Sequence, residues 1–420
     1  MYLCQKQKRI VSKKIITIKN KTIMKKYLFL ALGVAALTSC SSDEVTELNQ
    51  GNEIKFAVVA DNDSRAADIY CNNNLMEDFT LYASTDQNKD FIVAETYEND
   101  GNSTSYTTGD EGSVRYWPEN DALNFYAIKN AELDWEAGQA PTGDFTVAPT
   151  VGAQVDFVYS VERSDDNTGV TKDETNNGTV TLNFRHALSQ IEFQAKNENP
   201  DLWVEILNVK VGNAKSEGDF TFPNVSTKDN YENHTGAVTP NEEAGVITWT
   251  NQATPENYKL DADLSSPVTL LSTQGVQPIT YVQEDLTTYT NSMLLLPQTT
   301  AKWNGTEGSF LAVKCRIWNI IGGDTNTKVL LYGDANGDGT AEGRWAFVPV
   351  DFSWAPGCKY IYTFNFTKGG NAGFDDSAGE EKPSNIPVLV NLTVDVTVDD
   401  FEPKAPTNTP MEVEPFDLNP

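Results

Sequence analysis

Histidine is nearly absent from this chain: its 420 residues hold two, His186 and His234. That removes most His-based catalytic triads and His-rich metal sites. No GxSxG, HExxH or Walker loop occurs, and no GxGxxG follows a strand-like run. Carboxylates are abundant, but among 60 acidic residues a pair at glycosidase spacing arises anywhere, so abundance assigns no catalysis. The chain is read as a non-enzyme. Heptads, solenoid repeats and long amphipathic helical periodicity are also missing; residues 186–191 could hold a turn or a short helix at most. No apolar run reaches the roughly 20 residues that a membrane-spanning helix needs.

Basic residues are scarce and unevenly placed. Nine of the 31 Lys and Arg lie in residues 1–39 and none of the 60 Asp and Glu do, which leaves 22 bases against 60 acids, a net of −38. Such a charge argues against nucleic acid, whose affinity comes from Lys and Arg neutralising phosphates. It suits a soluble, self-repelling exterior surface. Cysteine is sparse as well. Beyond Cys40 only Cys71, Cys315 and Cys358 follow, an odd and scattered set that is no disulfide framework. One bridge is open to them in an oxidising compartment, and small hydrophobes in strands is the plainer reading.

What is present begins with residues 24–40. Met24 and two lysines lead an apolar run from Tyr27 to Leu37, then Thr38-Ser39-Cys40. This is a signal-peptide layout with a lipobox at its cleavage point. Cys40 is expected to receive acyl chains that hold a soluble body to the outer-membrane lipid without spanning it. Residues 1–23 read as an over-extended start, 1–39 as the signal peptide and 40–52 as a polar tether. Ser42-Asp43-Glu44 resembles the acidic signals that send some lipoproteins to the cell surface.

From residue 54 onward the pattern is β. Ile54, Phe56 and Val58 alternate with smaller or polar neighbours, as one half-buried strand should. Short β-rich runs follow at 79–83, 123–128, 155–159, 180–184, 191–195, 204–211, 293–296, 311–317, 329–332 and 360–366, separated by Gly, Asn, Asp and Ser clusters. Apolar residues occupy every even position from 386 to 398; such a run serves as the spine of a sandwich or bends between two sheets. Many short strands with regular turn signals predict an all-β chain of β-sandwiches. With about 380 residues past Cys40, two domains are expected. The polar stretch 164–178 marks a break, giving 53–175 and 176–402, with a Pro-rich extended tail at 403–420.

Six pieces in order resemble the fimbrillin family of Bacteroidales lipoproteins, the subunits of type V pili. They are Tyr116-Trp117-Pro118, Leu123-Asn-Phe-Tyr-Ala127, Phe184-Arg-His-Ala-Leu-Ser-Gln-Ile191, Leu294-Leu-Leu-Pro-Gln298, Trp354-Ala-Pro-Gly-Cys-Lys-Tyr-Ile-Tyr362 and Val394-Asp-Val-Thr-Val-Asp-Asp-Phe401. The resemblance covers residues 50–402. It implies two tandem transthyretin-like β-sandwich domains and a fimbrial subunit or tip adhesin at the cell surface. It also implies assembly by strand addition: a trypsin-like surface protease cuts after an arginine, the first strand leaves, and another subunit's strand fills the groove. Arg65-Ala66 stands where that cut falls, and Arg65 is the only basic residue between Lys55 and Lys89. Ile54, Phe56 and Val58 then belong to the removable strand. The donor is Met411-Glu-Val413 or part of 386–398, although prolines in the tail interrupt hydrogen bonding. The receptor, host or bacterial, is unnamed. The competing reading is a lipid-anchored surface protein that binds glycans or other ligands and does not polymerise.

Physics reads single pieces without the family. Gly357 permits a tight turn into the 360–366 strand. Trp117 anchors a strand end. His186 reads as a satisfied core or turn histidine. Asp334, Asn336 and Asp338, with Glu342 at the ninth position, match the first half of a calcium loop. The twelfth position is Trp345, and an Asp/Asn/Gly-rich hairpin looks the same without Ca2+. Asp376-Ser377-Ala378 resembles a short O-glycosylation motif of Bacteroidetes, with Ser377 as acceptor.

Overall fold

The computed structural model describes residues 52–59, 76–99, 105–108, 114–164, 168–227, 246–282, 289–290, 292–334, 337, 339–366, 373–374, 387–388 and 392–400. The described chain is all-β, with only single turns of 3-10 helix. Among the described residues no helix is long and apolar enough to cross a membrane.

Nine strands open the fold: β1 Lys55–Val59, β2 Asp78–Thr85, β3 Asp90–Asn99, β4 Ser105–Thr108, β5 Leu123–Lys129, β6 Thr142–Thr146, β7 Val158–Glu162, β8 Thr179–Asn183 and β9 Arg185–His186. All but β6 form one sheet in the order β8-β1-β4-β3-β2-β5-β7-β9. The two strands at its ends, β8 and β9, are consecutive in the chain with only Phe184 between them. The sheet must therefore curl until its ends meet. One face of every strand in it except β9 supplies a single aromatic-rich core, from Ile54 and Phe56 through Phe79, Tyr97, Tyr106 and Phe125 to Leu182.

The second core lies between two facing sheets. One holds Ser189–Lys196, Cys358–Asn365 and Thr393–Asp400, with Gln277–Pro278 and Ser292–Leu295 paired to the first of these. The other is built on the 20-residue strand Leu202–Thr221, flanked by Thr248–Lys259 and Phe310–Ile321. β6 joins this second sheet, pairing with the end of Leu202–Thr221. Period-two alternation fills the space between: Phe193 and Ala195, Tyr362 and Phe364, Val394 and Val396 from one side meet Val209 and Val211, Val313 and Cys315 from the other.

The two cores share strands. In β5, Phe125 and Ala127 face the first core while Tyr126 and Ile128 face the second. The same division holds in β7, with Val158 on one side and Tyr159 and Val161 on the other. The change of sheet falls after His186, downstream of the 175/176 boundary read from the sequence. The long even-position run does not form one spine. Pro387–Val388 pairs in the larger sheet and Thr393–Asp400 in the smaller, so of the two readings the passage between sheets is the one observed.

Cys315 and Cys358 are buried thiols inside strands. Burial pushes the Cys315 thiol well above its ordinary range, leaving almost no reactive thiolate. Iodoacetamide at mildly alkaline pH is expected to spare Cys315 in the folded chain and to alkylate it in concentrated guanidinium. Peptide mass mapping checks this; labelling of the native protein at Cys315 would show that its strand opens.

Candidate functional site

The first strand carries the alternation Ile54, Phe56, Val58 into the first sheet. Residues 52–59 do not lie loose. Ile54, Phe56 and Val58 are buried to 5%, 1% and 0% exposure while Lys55 between them is exposed. The alternation follows from the pleat, which sends successive side chains to opposite faces.

β1 is held on both sides. It runs parallel to β8, with Lys55 opposite Thr179 through Val59 opposite Asn183. On its other side Phe56 and Ala57 pair antiparallel with Tyr106 and Ser105 of β4. Parallel partners cannot be joined by a tight hairpin, and here more than a hundred residues of chain intervene. β1 is thus an interior strand of the sheet, not a margin: its loss leaves a slot with an unpaired edge on each wall.

Phe56 fills the centre of that slot. Its ring meets Tyr97 edge-on at 4.8 Å and Phe125 at 5.6 Å. Tyr106 packs against Phe79 at 5.1 Å and donates its hydroxyl to the Met76 carbonyl at 2.6 Å. Burial raises the Tyr97 and Tyr106 phenols, so both stay neutral in an apolar wall. Full burial of three such side chains contributes roughly 5–9 kcal/mol.

The entry to β1 is clamped. Ile54 donates its N–H to the Arg115 carbonyl (2.8 Å), and the Trp117 N–H donates to the Asn52 carbonyl (2.8 Å). The Gly178 carbonyl accepts from both the Lys55 N–H (3.2 Å) and the Trp117 indole (3.1 Å). Lys172 Nζ donates to Asn52 Oδ1 at 2.7 Å. Asn177 and Gly178 both adopt positive φ, 55° and 81°, in a tight turn that aims β8 alongside β1. A Cβ on Gly178 would stand 3.1 Å from the Glu53 carbonyl, so the turn and the clamp both require glycine.

Several residues singled out in the sequence lie outside the described residues: Cys40, Arg65, Ala66, Cys71, Asn336, Asp338, Ser377 and the tail from 401. Residues 60–75, which carry Arg65, join Val59 to Met76. Both oxygens of the Asp334 carboxylate are engaged by its own loop, accepting the Gly337 N–H at 2.6 Å and the Gly339 N–H at 2.7 Å. Among the described residues no three His, Cys, Asp or Glu side chains cluster as metal ligands. His186 is buried, its Nδ1 3.0 Å from Asp156 Oδ1, a satisfied core histidine at the change of sheet.

Three of the six family-like pieces converge in the second body. Ser189 Oγ donates to the Ala355 carbonyl (2.8 Å), the Gly357 N–H to the Leu188 carbonyl (2.9 Å), and the Trp354 N–H to the Gln298 carbonyl (2.9 Å). Gly357 takes φ +66°, as its turn requires. These pieces are scaffold. What sequence reasoning missed is the partner of β1: the 180–184 run was read as part of the second body, although Asn176-Asn177-Gly178 before it is a turn signal.

A family model described as fimbrillin-like matches residues 59–398. No curated protein matched the chain. Among solved structures, a fimbrial protein from Bacteroides vulgatus is 13% identical over 83% of this chain and 100% of its own, with a TM-score of 0.44. A protein provisionally assigned to cell adhesion from Bacteroides ovatus is 14% identical over 84% and 98%, with a TM-score of 0.41. A third, provisionally assigned to cell adhesion and from Parabacteroides distasonis, is 10% identical over 84% and 99%, at 0.42.

The packing of β1 sets an expected hierarchy. Phe56→Ala should lower stability by roughly 3–5 kcal/mol, since the aromatic slot cannot collapse. Trp117→Phe, which keeps the ring bulk and removes the indole bond to Gly178, should cost about 1 kcal/mol. Urea unfolding measures both; equal effects from the two variants would contradict the assigned roles.

Proposed function

The chain belongs to the fimbrillin-like family, and from that premise we propose that it is a fimbrial subunit, of the tip or accessory kind, assembled by exchange of its first strand. In this reading two transthyretin-like sandwich bodies are exported as a precursor lipidated at Cys40. A trypsin-like surface protease cuts between Arg65 and Ala66, and the segment bearing β1 departs. The vacated slot between β4 and β8 then takes an extended strand from another subunit. The observation that carries the reading is β1 itself: a short N-terminal strand, paired on both sides, with Phe56 in the centre of a core.

The physical logic is that of strand complementation. Backbone bonds from both walls hold any extended guest, and alternating pockets select apolar side chains at every second position. An empty slot exposes two unpaired edges and an aromatic trough, which favours refilling by association. The accessory role rests on the donor side. Thr393–Asp400 is paired along its whole length with Cys358–Asn365, so donating it would dismantle the second body. Residues 403–420 carry five prolines, which interrupt a donor ladder. A subunit that receives a strand and need not give one fits both facts. The cell surface is the matching location, with an adhesive receptor as the remaining partner.

Arg65→Ala tests the proteolytic step. Trypsin treatment of the wild-type precursor is expected to yield a chain beginning at Ala66 and to let higher oligomers form. The R65A precursor should keep its original N-terminus and remain monomeric. N-terminal sequencing and size-exclusion chromatography read the two outcomes; assembly of R65A at the wild-type level would rule out activation by cleavage at this position.

A further inference from the structure

A cleft of about 640 Å³ lies where the bulged strand Leu202–Thr221 meets the loop leading into Phe310–Ile321. Its size falls in the range of about 300–1,000 Å³ typical of small-molecule sites. It is distant in the chain from β1 and from Arg65.

The walls are built rigid. Asn213 sits in the bulge between Val211 and Ala214 at φ +61°, and its Nδ2 donates to the Gly308 carbonyl at 2.6 Å. The Asn213 N–H in turn donates to Asn257 Oδ1 at 3.0 Å. Gly308 stands at φ +104°, where a Cβ would come within 2.4 Å of the Lys302 carbonyl. Asn304 Oδ1 accepts the Thr306 and Glu307 N–H groups at 3.0 and 3.1 Å, which fixes the loop tip. Beneath it Trp303 packs edge-on against Phe310 at 5.9 Å, in a small aromatic cluster separate from both main cores. The Trp303 indole N–H is buried and has no hydrogen-bond partner among the described residues. Bulges that re-aim side chains are over-represented beside functional sites.

The chemistry of the lining narrows the ligand. The polar side chains are mostly neutral amides and hydroxyls; Lys215 and Glu307 add one charge of each sign. On a chain of net charge −29 this is a nearly neutral patch, and it offers no basis for holding a strongly ionic ligand. A purely apolar ligand would strip water from amides and hydroxyls without replacing their bonds. Two of the fixed groups also keep capacity to spare. Asn304 spends its oxygen on the loop and retains two N–H donors. Thr300 Oγ1 accepts from Ser309 Oγ (2.5 Å) and the Phe352 N–H (3.3 Å) and retains its own proton. A ligand whose hydroxyls both donate and accept, with a C–H face to lie on the exposed Pro255, matches that set. A peptide would instead be held through its backbone along a strand edge.

We propose that this cleft binds a neutral saccharide. The site requires neither cleavage at Arg65 nor release of β1, so it stands or falls apart from the strand-exchange reading. The test titrates the full chain with lactose, cellotetraose, mannotriose and triacetylchitotriose, with 3′-sialyllactose and an unstructured acidic peptide as comparisons, by calorimetry and saturation-transfer NMR. At least one neutral sugar is expected to bind at millimolar concentration or below. Thr306→Val should weaken it roughly fivefold and Lys215→Met about tenfold, the counterparts of losing one neutral and one charged hydrogen bond. Both variants should unfold at the wild-type temperature. Absence of binding by every neutral sugar, binding unmoved by both substitutions, or binding of the sialylated sugar or the peptide alone would overturn the proposal.

Discussion

A β-sheet tolerates no missing interior strand, and the first body of this protein depends on that constraint. β1 supplies backbone partners to β8 and to β4 at once and places Phe56 among Tyr97, Phe125 and their neighbours. Neither wall has another source for those bonds in the described chain. Because the sheet curls so that β8 and β9 meet through Phe184, the gap left by β1 would interrupt a nearly closed surface instead of trimming a margin. Burial and backbone pairing therefore act on the same few residues. The strand is stable where it stands, and its absence creates a demand for an extended guest of the same pattern.

The two cores are not independent beads. β5 and β7 present alternate side chains to each, so a shift of one residue in either strand would exchange both apolar sets at once. β6 carries the coupling further by leaving the first sheet for the second. There Phe157, buried next to Phe145 and Phe220 at 5.2 and 4.9 Å, ties β6 to the long strand it joins. Strain or loosening at one body is thus felt across shared strands, and the aromatic rings at the junction set how far it travels.

Local patterns were legible wherever a single segment determined its own state. The 54–58 alternation and the glycine turn at Gly357 each follow from residues within a few positions, whereas the partner that satisfies His186, Asp156, stands thirty residues away. Pairing between distant segments was not legible, because a strand's sequence records which face is buried and not which strand lies beside it. Hence β8 was read into the second body although it is the parallel partner of β1. The 386–398 run illustrates the same limit. Its unbroken alternation is equally good for one long strand or for two in different sheets, and what separates them is the sheet each meets. The cleft beside Asn213 had no signal at all, since it is made by a bulge and a loop more than eighty residues apart in the chain.

The topology also bears on whether β1 can leave without unravelling its host. β1 is the first strand, so nothing upstream in the described chain depends on its place. After its removal β4 keeps β3, β3 keeps β2, and the order continues through β5 and β7 to β9. β8 alone loses its only partner in the sheet, yet it stays covalently continuous with β9, and Val180, Leu182 and Phe184 remain in the aromatic core. The clamp at Asn52 and Gly178 holds β1 from its beginning, whereas Arg65 lies beyond its far end, past Val59. A cut there frees the strand covalently while every noncovalent hold persists. Release would then be limited by the burial of Ile54, Phe56 and Val58, an energy on the order of several kcal/mol that an incoming strand of matching pattern would restore as it displaces the old one.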